Sequence, residues 1–277
     1  MKQKLTLLFL TLFTLTACTS NATEKEESAS SSVESEEVAE STETTEESSA
    51  ESTSEAPSEE PVAYAYTVNP DIFTIEPIED ASSEVALLTF DDAPQEHSLA
   101  IAETVKDKGA NAIFFVMGQF LEDPANKEII KQIHEMGFEI GNHSYSHPVL
   151  PDLSYEEQLE ELIKTNDLVE EATGERPRFF RAPHGMYDDN VLAILEEEGM
   201  VNMNWTYGYD WEEQYMDGAA LADIMVNTEF LGNGANLLMH DRPWTEEAIS
   251  SIIDGLRAKG YELVDPTMIE SPNREVQ

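Results

Sequence analysis

From Glu84 to Val264 the chain alternates short apolar runs with longer amphipathic stretches, and this rhythm constrains the fold more than any other feature. Residues 85–90, 112–116, 138–140, 178–180, 201–205, 236–239 and 261–264 read as strands, rich in β-branched or aromatic side chains. Between them helices are expected at about 97–108, 125–135, 155–172, 189–198, 218–230 and 246–259, with Gly109, Gly137 and Gly174 as stops. Strand-then-helix units repeated in this way imply parallel strands joined by helical crossovers, hence an α/β barrel or an open sheet. No internal sequence repeat accompanies the rhythm. Residues 64–83 hold two prolines and no clear period, and read as a lead-in segment.

Polar clusters follow five of the expected strands, where α/β folds carry their active sites. The first is Thr89-Phe-Asp-Asp-Ala-Pro94, in which one carboxylate can hold a metal while the other takes a proton; a helix cap is the plainer role. The second, Gly141-Asn-His-Ser-Tyr-Ser-His-Pro148, places His143 and His147 four apart, able to face one metal from a single turn of chain. Only six histidines occur in the chain, so two directly after one buried strand carry weight. The others are Arg181-Ala-Pro-His-Gly185, Tyr209-Asp-Trp211 and Leu237-Leu-Met-His-Asp241. Each alone could be a loop ion pair; together they make a hydrolytic constellation. His97 and His134 fall in expected helices and read as surface residues.

Taken in order, Thr-Phe-Asp-Asp, His-Ser-x-x-His, Arg-x-Pro, Asp-Trp and Leu-x-His resemble the motifs of the carbohydrate esterase family 4 polysaccharide deacetylases, which carry a NodB-type domain. The resemblance covers about residues 84–265 and implies a distorted (β/α) barrel with fewer than eight full strands. It implies Asp92, His143 and His147 as metal ligands, with Zn2+ favoured, although such a set can also hold another divalent metal such as ferrous iron. It makes Asp91 the general base, oriented by Arg181, and His240 the general acid, oriented by Asp210. It gives the oxyanion the backbone N–H of His184, and makes Trp211 and Leu238 the walls of the acetyl pocket. Two positions depart from the family pattern: Ala93 stands where a glycine is usual, and Tyr207 where another aspartate is usual. If that glycine served a left-handed backbone, Ala93 would cost on the order of 1 kcal/mol. The stretch from Trp205 to Trp211 also looks short for the family.

The N-terminal quarter has a different composition. Residues 1–17 join a positive start, Met1-Lys-Gln-Lys4, to an apolar run too short for a membrane span, and read as a secretory signal. The run ends in Leu-Thr-Ala-Cys18, which resembles a bacterial lipobox and makes Cys18, the single cysteine, the expected lipidation site. Residues 19–63 hold 14 Glu and one Lys among Ser and Thr, with no aromatic residue. So little apolar surface cannot offset chain entropy, and residues 18–63 are expected to be a disordered spacer reaching about 40 Å from the lipid. Residues 84–277 are then the catalytic domain. A net charge of −42 argues against nucleic acid as a partner.

The expected activity is removal of N-acetyl groups from N-acetylglucosamine in a cell-wall or surface glycan, peptidoglycan first, by a monomer anchored at the extracellular face of a bacterial membrane. Chitooligosaccharide deacetylation, O-deacetylation of acetylxylan, and a non-catalytic glycan-binding lipoprotein are the alternatives.

Overall fold

A computed structural model describes residues 64–272. The signal segment, Cys18, the acidic spacer and residues 273–277 lie outside the described residues.

The rhythm read from the sequence is present as β3 (Val85–Ala93), α1 (Ser98–Asp107), β4 (Ile113–Val116), α2 (Pro124–Glu135), β5 (Glu139–Asn142), α3 (Tyr155–Thr173), β6 (Phe179–Phe180) and α4 (Asp189–Glu198). It continues with β7 (Val201–Asn202), β8 (Tyr207–Gly208), α5 (Gly218–Asn227), β9 (Ala235–His240), α6 (Pro243–Ala258) and β10 (Glu262–Leu263). Local chemistry sets the helix ends. Ser154 and Glu157 form a reciprocal capping box on α3, Asp188 caps α4, and Gly174 and Gly199 end those two helices in the left-handed region.

Every strand pair of the main sheet is parallel, in the order β7-β6-β5-β4-β3-β9-β8, with β10 against the start of β3. One side chain proves that this sheet curls. Arg181, just after β6, donates to Thr89 on β3 and to Asn236 on β9. Four strand steps separate β6 from β9, roughly 19 Å in a flat sheet at about 4.8 Å per step, which no arginine spans. The architecture is thus a distorted, open (β/α) barrel, as expected.

Alternation along β3 divides the core. Ala86, Leu88 and Phe90 point outward and pack on Ile101 and Val105 of α1 and Ile249, Ile252 and Leu256 of α6. Val85 and Leu87 point inward with Ile113, Phe115 and Phe179. Thr89 and Asp91 continue this inner row upward, so an apolar floor supports a polar mouth.

The lead-in segment carries a hairpin for which the sequence showed no period. β1 (Tyr66–Val68) and β2 (Ile75–Pro77) pair antiparallel, and Val68 and Ile75 join the inner cluster. Three-residue strands are too short to show a period, which is why none was read there. For the same reason β8 was not expected as a strand. At the other extreme β3 runs to Ala93, past the expected end at Phe90, and takes both aspartates with it.

Candidate active site

The strand register assembles the site. Asp91 of β3 lies opposite His240 of β9, and Gly208 of β8 opposite Leu238, which puts Asp210 beside His240. On the other flank Asn142 of β5 pairs with Phe180 of β6, aligning the loops that carry His143 and Arg181.

Consecutive residues of a regular strand face opposite ways, yet Asp91 and Asp92 both line one cavity of about 400 Å³. Backbone geometry explains it: Asp92 has φ 62° at a register shift between Phe90 and Ala93, which turns its carboxylate back toward the mouth. Ala93 itself is not in the left-handed region and its methyl is buried in the outer core. The glycine usual in the family therefore has no conformational role that Ala93 fails to fill.

Asp92, His143 and His147 offer ligand atoms all within 4.8 Å of one another, and are the one such trio among the described residues. Each imidazole Nε2 stands 3.9 Å from Asp92 Oδ1. His143 Nδ1 lies 2.7 Å from the carbonyl of Arg181, so it carries the proton and leaves Nε2 as a lone-pair donor toward the carboxylate. Burial, then the neighbouring imidazoles, pulls His147 below the ordinary histidine range; burial does the same to His143 despite Asp91 and Asp92. Neutral imidazoles beside a carboxylate are what a divalent metal requires, so the donor set fits one.

The loop bearing these histidines is held from outside. Ser144 and His147 both have φ 61°, a conformation that needs enforcement. Asn142 Oδ1 accepts from Ser144 N–H, and its amide donates to Leu162 O and to Asn166. Glu161 on α3 accepts from the N–H groups of Tyr145 and Ser146 and from the Ser146 hydroxyl. Sequence gave no sign of Glu161, an unremarkable helix glutamate until the loop folds onto it.

Asp91 is buried and accepts from Arg181 Nη1 at 2.7 Å. The remaining Arg181 donors go to Thr89 Oγ1, Met203 O, Asn204 O and Asn236 Oδ1, so the guanidinium is fixed in position. Opposite stands His240, whose Nδ1 meets Asp210 Oδ1 at 2.8 Å while Asp210 Oδ2 accepts from the His240 N–H and from Thr245. Burial opposes a charged ring at His240, but the hydrogen bond and charge of Asp210, with Asp91 and Asp92 further off, outweigh it and raise the pKa. Tyr207, where the family usually has an aspartate, turns into the core and donates to Met225 O, leaving the Asp210–His240 pair intact.

His184, Trp211 and Leu238 line the same cavity, joined by Ala182 and by Trp205. The Trp211 ring meets His240 edge-on at 5.6 Å, and the His184 ring meets His147 at 4.6 Å. Of the expected site residues within the described chain, Arg181 and Asp210 stand behind the cavity and the rest line it. Two neighbours went unassigned in the sequence. Arg242 donates to Asp92 Oδ2 at 3.1 Å. Asp241 accepts from the N–H groups of Gln95, His97 and Ser98 and from the Ser98 hydroxyl, pinning the loop after Asp92. His97 is accordingly no free surface residue: it stands just before α1 with its ring 2.6 Å from Glu246.

An open parallel barrel thus unites at one mouth a trio that could hold a metal with the Asp91–Arg181 and His240–Asp210 pairs, a set of groups suited to hydrolysis. The chain belongs to the polysaccharide deacetylase family, whose profile matches residues 79–203. A peptidoglycan-N-acetylglucosamine deacetylase of Bacillus cereus is 33% identical over 200 residues, which cover 68% of this chain and 69% of that protein. The peptidoglycan-N-acetylmuramic acid deacetylase PdaC of Bacillus subtilis is 31% identical over 199 residues, covering 71% of this chain but only 41% of PdaC. Among solved structures, BA3943 of Bacillus anthracis, described as a CE4 family pseudoenzyme, is 32% identical with a TM-score of 0.60, covering 65% of this chain and 63% of that one.

Proposed function

We propose that this chain is a metal-dependent hydrolase that removes N-acetyl groups from N-acetylglucosamine residues of cell-wall peptidoglycan, releasing acetate. The observation that carries the reading is the placement of two preorganised proton carriers, Asp91 held by Arg181 and His240 held by Asp210, at one mouth with the Asp92–His143–His147 trio. Those three residues would hold the metal, and two imidazoles with one carboxylate suit Zn2+. When bound, it supplies Lewis-acid polarisation of the acetamide carbonyl and makes a water acidic enough to lose a proton near neutral pH.

The chain's own residues do the rest. Asp91 takes the proton of the attacking water, and Arg181 holds that carboxylate in position. The backbone N–H of His184 donates to the oxyanion as the carbonyl becomes tetrahedral. His240, protonated through its contact with Asp210, delivers a proton to the departing nitrogen, so the C–N bond breaks to a free amine and acetate. Leu238 and Trp211 enclose the acetyl methyl.

An N-acetylglucosamine target is favoured by the similarity to the Bacillus cereus deacetylase, whose length the chain covers most fully of the relatives described above. The N-terminal residues suit a wall substrate: a signal over 1–17, a lipid on Cys18 and an acidic spacer to residue 63 would place the domain outside the membrane and within reach of the wall. Replacing Cys18 with Ser should move the chain from the membrane fraction to the medium; retention at the membrane would remove the anchor.

A non-catalytic glycan-binding role is the second reading, motivated by the likeness to a pseudoenzyme. Acetate release separates the two. The full chain, stripped of metal and reloaded with zinc, is offered peptidoglycan, N-acetylglucosamine oligomers and acetylxylan, with Asp91→Asn as control. Zinc-restored release from peptidoglycan that the control lacks is expected; no release from any of the three would leave the binding role, and preference for acetylxylan would make the chain an O-acetyl esterase.

A further inference from the structure

The two carboxylate oxygens of Asp92 face different neighbours. Oδ1 stands 3.9 Å from Nε2 of His143 and 3.9 Å from Nε2 of His147, toward the rest of the trio. Oδ2 accepts from Nη2 of Arg242 at 3.1 Å. Among the described residues no other lysine or arginine side chain bonds a member of the trio. Local chain geometry puts Arg242 there. It precedes Pro243, the first residue of α6, and a residue before proline is kept out of the helical region; Arg242 accordingly has φ −139° and ψ 150°. Its Nη1 turns back to the Asp241 carbonyl at 3.0 Å. Asp241 is itself pinned to residues 95–98, the loop that follows Asp92. Guanidinium and carboxylate are thus fixed to one another through both chain segments. Yet the Arg242 side chain caps no helix and is 34% exposed, so neither α6 nor the core requires it.

We infer that Arg242 confines Asp92 to one coordinating oxygen, and so biases the trio toward Zn2+ over ions with a larger, oxygen-rich shell, such as Mn2+. The inference rests on the metal-dependent reading above and makes Arg242 a positioning residue that acts through Asp92. Zinc in a catalytic site takes three protein ligands and keeps a position open, which one oxygen of Asp92 and two imidazoles satisfy. Mn2+ favours an octahedral shell built mainly of oxygen. A carboxylate gripping with both oxygens would supply one of the additional ligands, and the hydrogen bond from Arg242 withholds it. Charge alone gives no such preference. Both ions are doubly positive, so repulsion from the guanidinium weakens each alike and cancels when their affinities are compared.

The test is competition of the metal-free full chain against a chromophoric chelator, once for Zn2+ and once for Mn2+. Binding by the His143→Ala chain is subtracted, so that ions held by acidic groups elsewhere do not count. Arg242→Met should lower the ratio of zinc to manganese affinity about tenfold, the lower end of what outer partners of metal ligands command. The residue is partly exposed, so the fold should tolerate the change. Gln95→Ala is the control for mere loosening. Gln95 Nε2 donates to the Asp92 carbonyl at 3.1 Å, and its loss slackens Asp92 without freeing Oδ2. That variant should weaken both ions together and leave the ratio in place. A ratio unmoved by Arg242→Met, or moved as far by Gln95→Ala, overturns the inference. If the ratio stays put while acetate release still depends on zinc, Arg242 loses its role and the deacetylase reading stands; a parent chain that takes up neither ion loses both.

Discussion

Arg181 Nη1 stands 2.7 Å from Asp91 Oδ1 with both side chains sealed from solvent, so Asp91, the proposed base, is one half of a buried ion pair. Each charge depends on the other, because either one alone in that interior would be uncompensated. Arg181→Met keeps the bulk and strands the carboxylate. It should cost about 3–5 kcal/mol of stability, read as a lower denaturant midpoint with unchanged slope. A loss below about 1 kcal/mol would mean that the pair orients the base without supporting the fold.

The second prediction concerns Glu161, which touches no reacting group. Its carboxylate takes three donors from Tyr145 and Ser146, between the two histidines of the trio. Glu161→Ala should weaken zinc binding about 10–100-fold, in the range of other outer supports of metal ligands. Competition against a chromophoric chelator measures it. Unaltered affinity would assign the strain at Ser144 and His147 to Asn142 alone.

These two cases show what could and could not be read from residues in a row. His143 and His147 were legible because four-residue spacing after an apolar run has few other uses, and the barrel because strand and helix periods alternate for 180 residues or so. Glu161 was not legible, since it reaches the site across a helix–loop contact 15 and 16 residues away in sequence. The turn at Asp92 was hidden too. Asp91 and Asp92 were expected in one site with different roles, and the left-handed backbone at Asp92 is what brings both to one mouth. The β1–β2 hairpin escaped because its strands carry too few residues to display a period.

Gly208 offers a third test, this time of backbone proximity. A Cβ there would stand 2.4 Å from the carbonyl of Leu238 on the paired strand, an atom that cannot swing away as a side-chain tip can. Gly208→Ala must therefore push β8 off β9, two residues ahead of Asp210. The expected cost is about 1–3 kcal/mol, the usual range for overpacking. It should come with a lower kcat, because the Asp210–His240 contact loosens. Wild-type stability in this variant would show that the strands separate without strain.

The fourth prediction is a pH dependence set by His240. Burial disfavours its charged ring, but Asp210 at 2.8 Å, helped by Asp91 and Asp92, raises its pKa above the ordinary histidine value. A general acid works only while protonated, so kcat/KM should fall on the alkaline side as pH passes that raised pKa. Asp210→Asn removes the charge and leaves burial less opposed, so the alkaline limb should move to lower pH. Stability gives a reading independent of turnover. A pKa raised by folding contributes stability that is complete below the unfolded-state value and disappears as pH rises through the folded-state value. In metal-free protein, the gap in stability between the parent chain and Asp210→Asn should therefore be widest at the acid end of that window and narrow as pH climbs past it. An alkaline limb that stays in place, together with a stability gap that does not change with pH, would assign the proton to another group and leave Asp210 as a structural support of β9.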